Sequence, residues 1–217
     1  MSENLTGGGS QGGAEVAGPR RQRIEGDRVI LREKRLADAE RDYAWRCDPE
    51  LSRLDASLPL NVPYSVFLQR FTDELKYPYY DWHRLAIETR DGRHIGSCVY
   101  HMCGGMSGEV ELGIMIGDPQ YRDKGYGRDV ISTAVRHIFE DSGLERVYLH
   151  TLNWNVRAQK CFTKCGFVPC GELVRGAHTF MVMELRRDWA RQQPRNGTGA
   201  STESREMRQA TGRAGMT

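Results

Sequence analysis

The sequence predicts an α+β domain built on a mixed sheet. Two observations carry this. Residues 84–89, 94–103 and 109–117 form three strand-like runs, separated by Asp91 and Gly92 and then by Gly104, Gly105 and Gly108, the pattern of an antiparallel meander. The third run leads through a glycine-containing turn into a helical pattern and then a β-branched run at 146–152, the order of a right-handed parallel crossover.

The remaining elements follow in order. Residues 29–32 read as a short strand, with order beginning near Arg28. Residues 37–48 read as a helix, with Ala39, Tyr43, Ala44 and Cys47 at helical spacing, and Pro49 forbids its continuation. Residues 51–63 read as irregular. Residues 65–76 carry an apolar stripe of Phe67, Leu68, Phe71 and Leu75, so a second helix is predicted. An aromatic segment at 77–82 follows; it reads either as core-edge packing or as a pocket wall holding Tyr80 and Trp82. In the run at 109–117, Val110, Leu112, Ile114 and Ile116 face one way and Glu109, Glu111, Gly113 and Met115 the other. The helix after the turn buries Val130, Ile131, Ala134, Val135 and Ile138 and stops near Gly143. Asn155 is placed to cap a helix over 155–165 whose Ala158, Cys161, Phe162 and Cys165 share a face. Residues 167–174 and 179–185 close the domain as a hairpin.

The chain of 217 residues suits one domain with tails. Residues 1–23 are Gly-rich and residues 188–217 Arg-containing and polar, so both are expected to be disordered around a domain at 24–187. The net charge of +2 is unevenly placed: residues 186–217 carry +4 and residues 1–23 carry +1, which leaves −3 on residues 24–185. A nucleic-acid-binding face on the folded part is therefore not expected. Mean hydropathy is −0.61 and no apolar run has the length of a bilayer span, so no membrane partner and a cytoplasmic location are expected. Six cysteines contain no Cys-x-x-Cys. They read as small apolar residues rather than a disulfide framework or a metal site.

The turn at 120–128 carries the chemistry. Arg122, Lys124 and Arg128 alternate with Gly125 and Gly127 just before a helix. Glycine admits close backbone approach, and the first amides of a helix are unpaired and electropositive, so this turn suits phosphate. A nucleotide P-loop needs Gly-Lys-Ser/Thr, which is absent, and the dinucleotide fingerprint fails because position 130 is Val.

The Arg-x-x-Gly-x-Gly spacing of Arg122, Gly125 and Gly127 resembles the acyl-CoA pyrophosphate loop of the GCN5-related N-acetyltransferases. Asn155, Ala158, Gly166 and Phe167 resemble that family's downstream block, in which Asn-x-x-Ala opens a helix ending in Gly-Phe. The runs at 29–32 and 111–116 look like the branch acting on ribosomal-protein N-termini, polyamines and small amines. The resemblance covers about residues 28–185. It implies a strongly twisted sheet of about seven strands with four helices, whose two central parallel strands, 109–117 and 146–152, splay to bind acyl-CoA. It implies acetyl-CoA as co-substrate and no metal. It puts the pantetheine arm along Met115, Ile116 and Gly117, and the pyrophosphate on Arg122, Asp123, Lys124, Gly125, Tyr126, Gly127 and Arg128. It puts Asn155 near the pantetheine arm, Phe162 near the thioester and Asn153 beside the substrate. The acceptor is a protein N-terminus or a small amine such as a polyamine or aminoglycoside, and a homodimer would be ordinary.

Acetyl transfer needs a neutral amine, and an amine with a pKa near 10.4 is almost fully protonated at neutral pH. A carboxylate can remove the proton. Glu111 is the candidate base, with Glu109 second, and an amide near Met115 is an oxyanion donor. Many relatives have a tyrosine acid where this chain has Phe162, which carries no proton. Cys161, Cys165, Tyr126 and Tyr148 stand as substitutes. Loss of that acid supports an alternative, an acyl-CoA-binding regulatory module with little turnover. His101 and His150 read as structural residues of their strands.

Overall fold

The structure is a computed structural model that describes residues 23–79, 81–103, 108–141 and 144–188. Expectations for residues 1–22 and 189–217, and for Tyr80, Gly104, Gly105 and Gly143, lie outside these. Among the described residues are eight strands in one sheet and five α-helices.

The chain enters through β1 (Arg23–Glu25) and β2 (Val29–Glu33). Three helices follow, α1 (Ala39–Cys47), α2 (Pro49–Leu54) and α3 (Tyr64–Lys76). The meander is β3 (Trp82–Thr89), β4 (His94–Cys103) and β5 (Glu109–Ile116). Helix α4 (Tyr126–Asp141) carries the chain to β6 (Arg146–Leu152), then α5 (Val156–Lys164) leads to β7 (Val168–Arg175) and β8 (His178–Arg186). The strand order is β1-β2-β3-β4-β5-β6-β8-β7, and β5–β6 is the parallel pair. The expected mixed sheet and crossover are borne out.

The expected count was short by two elements. β1 was missed because its three residues are mostly charged, yet Ile24 pairs with Leu31 and packs on the core. α2 falls in the stretch read as irregular. Pro49 does end α1, but it also stands in the first turn of α2, where its missing N–H costs nothing, and Asp48 caps that helix by accepting from Leu51 N at 2.9 Å.

The core lies between the sheet and α4. Val110 and Leu112 of β5 meet the stripe Val130, Ile131, Ala134, Val135 and Ile138, all of it buried as the helical period predicted. On the sheet's first strands, Arg32 is buried and donates to both oxygens of Asp38 (2.7 and 2.8 Å) and to Glu88 (2.5 Å). A buried cation matched by two carboxylates fixes the approach of α1 to β2 and β3. Among the described residues no helix is long and apolar enough to cross a membrane.

Candidate active site

The parallel pair is short. β5 and β6 are in register only at Glu109–Arg146, Val110–Val147 and Glu111–Tyr148, although β5 runs on to Ile116 and β6 to Leu152. Beyond Glu111 the two strands separate, so their facing backbone groups are left open between them. A cleft of about 510 Å³ occupies the region below this fork. Ile114, Met115 and Ile116 of β5 form one wall, and Asn155, Ala158, Cys161 and Phe162 around α5 form another. Leu51 and Leu54 of α2 close it from the side. The missed helix is therefore part of the site.

The 120–128 turn supplies the basic end. Its backbone enters the left-handed region at Asp123 (φ 58°) and Gly125 (φ 86°), and glycine meets the second without side-chain strain. Asp129 in the first turn of α4 accepts from the amides of Asp27, Arg28 and Val29 at 2.7–3.1 Å, and the Arg28 guanidinium donates to Lys124 O at 2.8 Å. The loop is thus tied to the β1–β2 turn and does not float. Arg122, Arg128, Arg157, Lys160 and Lys164 line the cleft against only Asp55 and Asp123. That excess of cations beside a helix N-terminus fits a polyphosphate chain. Arg157, Lys160 and Lys164 were missed from the sequence, though their spacing of three and four on α5 was the available signal.

The predicted residues divide. Met115, Ile116, Arg122, Asp123, Gly125, Gly127, Arg128, Asn155 and Phe162 come together on the cleft wall. Gly117, Lys124 and Tyr126 do not. Gly117 lies against Trp45, where an added Cβ would stand 2.2 Å from the indole. Lys124 is exposed, and Tyr126 packs edge-on to Tyr121 at 5.1 Å. Asn155 uses its side-chain oxygen to cap α5 at Ala158 N, 3.2 Å. Asn153 is exposed outside the wall, its carbonyl accepting from Gln159 at 2.9 Å. Trp154 packs under the Arg53 guanidinium at 4.5 Å. Arg122 does more than line the cleft: it donates from Nε to Ile116 O (3.1 Å) and from a terminal nitrogen to Gly117 O (3.0 Å), tying the loop to the end of β5.

Two thiols sit in this wall. Cys161 faces the cleft, and its thiol is lowered to about 7 by a hydrogen bond from Cys165, against the opposing effect of burial and with help from Lys164, Arg128 and Arg157. Cys165 moves the other way, pushed up by that same bond and by burial. Phe162 is buried against Phe167, with ring centroids 6.2 Å apart.

Glu111 is not on the cleft wall. It stands at the apex of the fork, three residues, or about 10 Å of strand, before Ile114. Its Oε1 is 2.9 Å from His150 Nδ1 and its Oε2 is 3.7 Å from His101 Nε2. Trp82, half-exposed on β3 rather than in a loop, stacks on His101 at 4.1 Å and 7°. Four neighbouring strands thus bring Trp82, His101, Glu111 and His150 to one face. Glu109, the other carboxylate of that face, is engaged by Arg146 at 2.8 Å. Glu111 and Glu109, the first and second candidates for the base, thus have different partners.

An eight-stranded mixed sheet, forked at its parallel pair over a cation-lined cleft, defines the class to which the chain belongs. Residues 28–168 match the Acetyltransferase (GNAT) domain family, and the chain is a member of that family. Among curated relatives, it is similar to spermidine N(1)-acetyltransferase of Vibrio cholerae, 36% identical over 56 residues, which is 26% of this chain and 32% of that protein. It is also similar to spermine/spermidine N(1)-acetyltransferase of Bacillus subtilis, 30% identical over 79 residues, 36% of this chain and 52% of that one. The aligned stretch thus spans about a third to a half of the length of these relatives. Its fold is like that of a Vibrio cholerae spermidine N-acetyltransferase in complex with CoA and spermine (TM-score 0.67, 19% identity, 75% of this chain and 97% of that one). The aminoglycoside acetyltransferase AAC(6')-Ib in complex with ribostamycin and coenzyme A is a second such structure (TM-score 0.66, 15% identity, 79% and 100%).

Proposed function

We propose that this protein moves an acetyl group directly from acetyl-CoA to a primary amine, and that the acceptor is a small polycationic amine of the polyamine or aminoglycoside kind. The single observation that carries the reading is the fork at Glu111 above the cation-lined cleft. The cleft end suits the phosphates of the co-substrate, and the open backbone of β5 suits its amide-bearing arm. Arg122 holds the strand end in place for that arm, while Arg128, Arg157, Lys160 and Lys164 line the wall against the phosphates.

At the fork, Glu111 supplies negative charge, and the faces of Trp82 and His101 supply a ring surface of the kind that holds ammonium groups. The net −3 of residues 24–185 favours a cationic acceptor over an anionic one. Two names among the relatives point the same way, since both act on polyamines. The amine attacks once its proton is removed, the bond from carbonyl carbon to sulfur breaks, and the leaving thiolate takes its proton from water, because Phe162 has none to give.

Phe162 also favours a second reading, a module that binds acyl-CoA without turnover. One assay separates them. Release of free CoA is followed with acetyl-CoA and, in turn, spermine, spermidine, an aminoglycoside and an N-terminal peptide. Acetylated polyamine or aminoglycoside is expected. Tight acetyl-CoA binding with no transfer to any acceptor would refute the enzyme; transfer to the peptide alone would refute the small-amine acceptor.

A further inference from the structure

The carboxylate at the fork is not alone, and its partner decides where the acceptor's proton goes. His150 sits on β6 two residues past Tyr148, the last residue of that strand paired with β5, so it lies on the splayed arm. Its Nδ1 is 2.9 Å from Glu111 Oε1. Two electron-rich atoms approach that closely only with a proton between them. With the carboxylate oxygen as acceptor, the imidazole donates from Nδ1. The ring is thereby held as the Nδ1–H tautomer, and its Nε2 keeps the lone pair.

We propose that His150 is the general base of the acetyl transfer, taking the acceptor's proton at Nε2, and that Glu111 is the residue that orients it and offsets the imidazolium charge. The step balances: an ammonium N–H bond breaks, its electron pair stays on nitrogen for attack, and the proton becomes the second N–H of the imidazole. This rests on the proposed acetyltransferase activity and says which atom of the site handles the proton.

An imidazole nitrogen is in general a stronger base than a carboxylate oxygen, which favours routing the proton to the ring. The groups facing the ring are Glu111 on β5 and Tyr148 on its own strand (centroids 5.5 Å apart), with Phe180 of β8 at 6.4 Å and His178 beyond it. His101 faces the other oxygen of Glu111, at 3.7 Å, from β4. Nothing in residue spacing pairs these histidines with Glu111, because the contact needs the register of three strands.

The test uses His150→Asn in the full chain, since the shorter amide can still donate to Glu111 but has no base beyond it. The kcat/KM profile of the wild type should fall on the acid side as the base takes up its proton. In His150→Asn that limb should be lost, with kcat down about a hundredfold or more. Added imidazole should restore part of the rate in His150→Ala. If His150→Asn keeps kcat within about threefold and keeps the limb, the ring is only a positioning residue and the proposal is overturned. Nitrogen-15 NMR of the ring gives a readout independent of turnover: an Nδ1–H tautomer is expected, and an Nε2–H tautomer would overturn the assignment. Failure of the acetyltransferase reading looks different, since the wild type itself then acetylates nothing.

Discussion

Arg122→Ala should cost both stability and co-substrate affinity, because Arg122 ties two parts of the site together. The side chain is mostly buried and donates to Ile116 O and Gly117 O, the last carbonyls of β5 and the residue after it. Its ion pair with Glu50, at 3.6 Å on a largely exposed carboxylate, contributes little. Two hydrogen bonds from a charged donor are worth roughly 1.5–3 kcal/mol each. Taking the lower end for part exposure gives about 3 kcal/mol, or about 6–12 °C in Tm for a domain of this size. Acetyl-CoA would then bind a strand end and loop that must first be brought into register, and a loss of at least about tenfold in Kd is expected, which is about 1.4 kcal/mol. Thermal unfolding and calorimetric titration with acetyl-CoA read the two effects. Arg122→Lys separates charge from geometry, since an ammonium cannot serve both carbonyls as the guanidinium fork does. It should recover little of the Tm. An Arg122→Ala protein with unchanged Tm and weakened affinity would refute the reasoning, because the side chain would then act on phosphate alone.

Two further expectations concern Gly117 and Cys161. Gly117→Ala places a methyl group 2.2 Å from the Trp45 indole and should destabilise by about 1–3 kcal/mol, read as a lowered denaturation midpoint; an unchanged midpoint would show that Trp45 moves aside freely. Cys161, its thiol lowered to about 7 by Cys165 and the nearby cations, should react with iodoacetamide at a lower pH than an ordinary thiol near 8.5. Acetyl-CoA should protect it. Peptide mapping must distinguish it from the exposed Cys170, and a rate that climbs only above pH 8, with no protection, would contradict the placement.

The reach of the sequence is clearest in its particular elements. Periodicity located α4 and its buried face, because a long helix packed on a sheet repeats its apolar residues every third or fourth position. It fails at α2, where Pro49 reads as a stop although Asp48 before it is also a start signal. That error hid Leu51 and Leu54 from the cleft wall. The basic turn was legible as a candidate phosphate site, yet residue type could not say which members face inward. Lys124 turns its carbonyl to Arg28 and Gly117 its Cα to Trp45, and both facts depend on neighbours about 70–100 residues away in the chain. Trp82 belongs to a segment that reads either as core-edge packing or as a pocket wall; it begins β3, where it reaches the fork through its stack on His101. The different partners of Glu109 and Glu111 are Arg146 and His150, two residues of a strand that pairs with β5 only after a 16-residue helix has carried the chain back.

The central claim is that the fork at Glu111, set above the cleft, is where acetyl moves to the amine. Glu111→Gln is nearly isosteric, stands outside the cleft wall, and removes the charge. Its acetyl-CoA affinity and its rate of acetyl transfer to spermine, measured side by side at neutral pH, test the claim most directly. The account predicts affinity within about threefold of the wild type and a transfer rate lower by about a hundredfold or more. Transfer at the wild-type rate would contradict it.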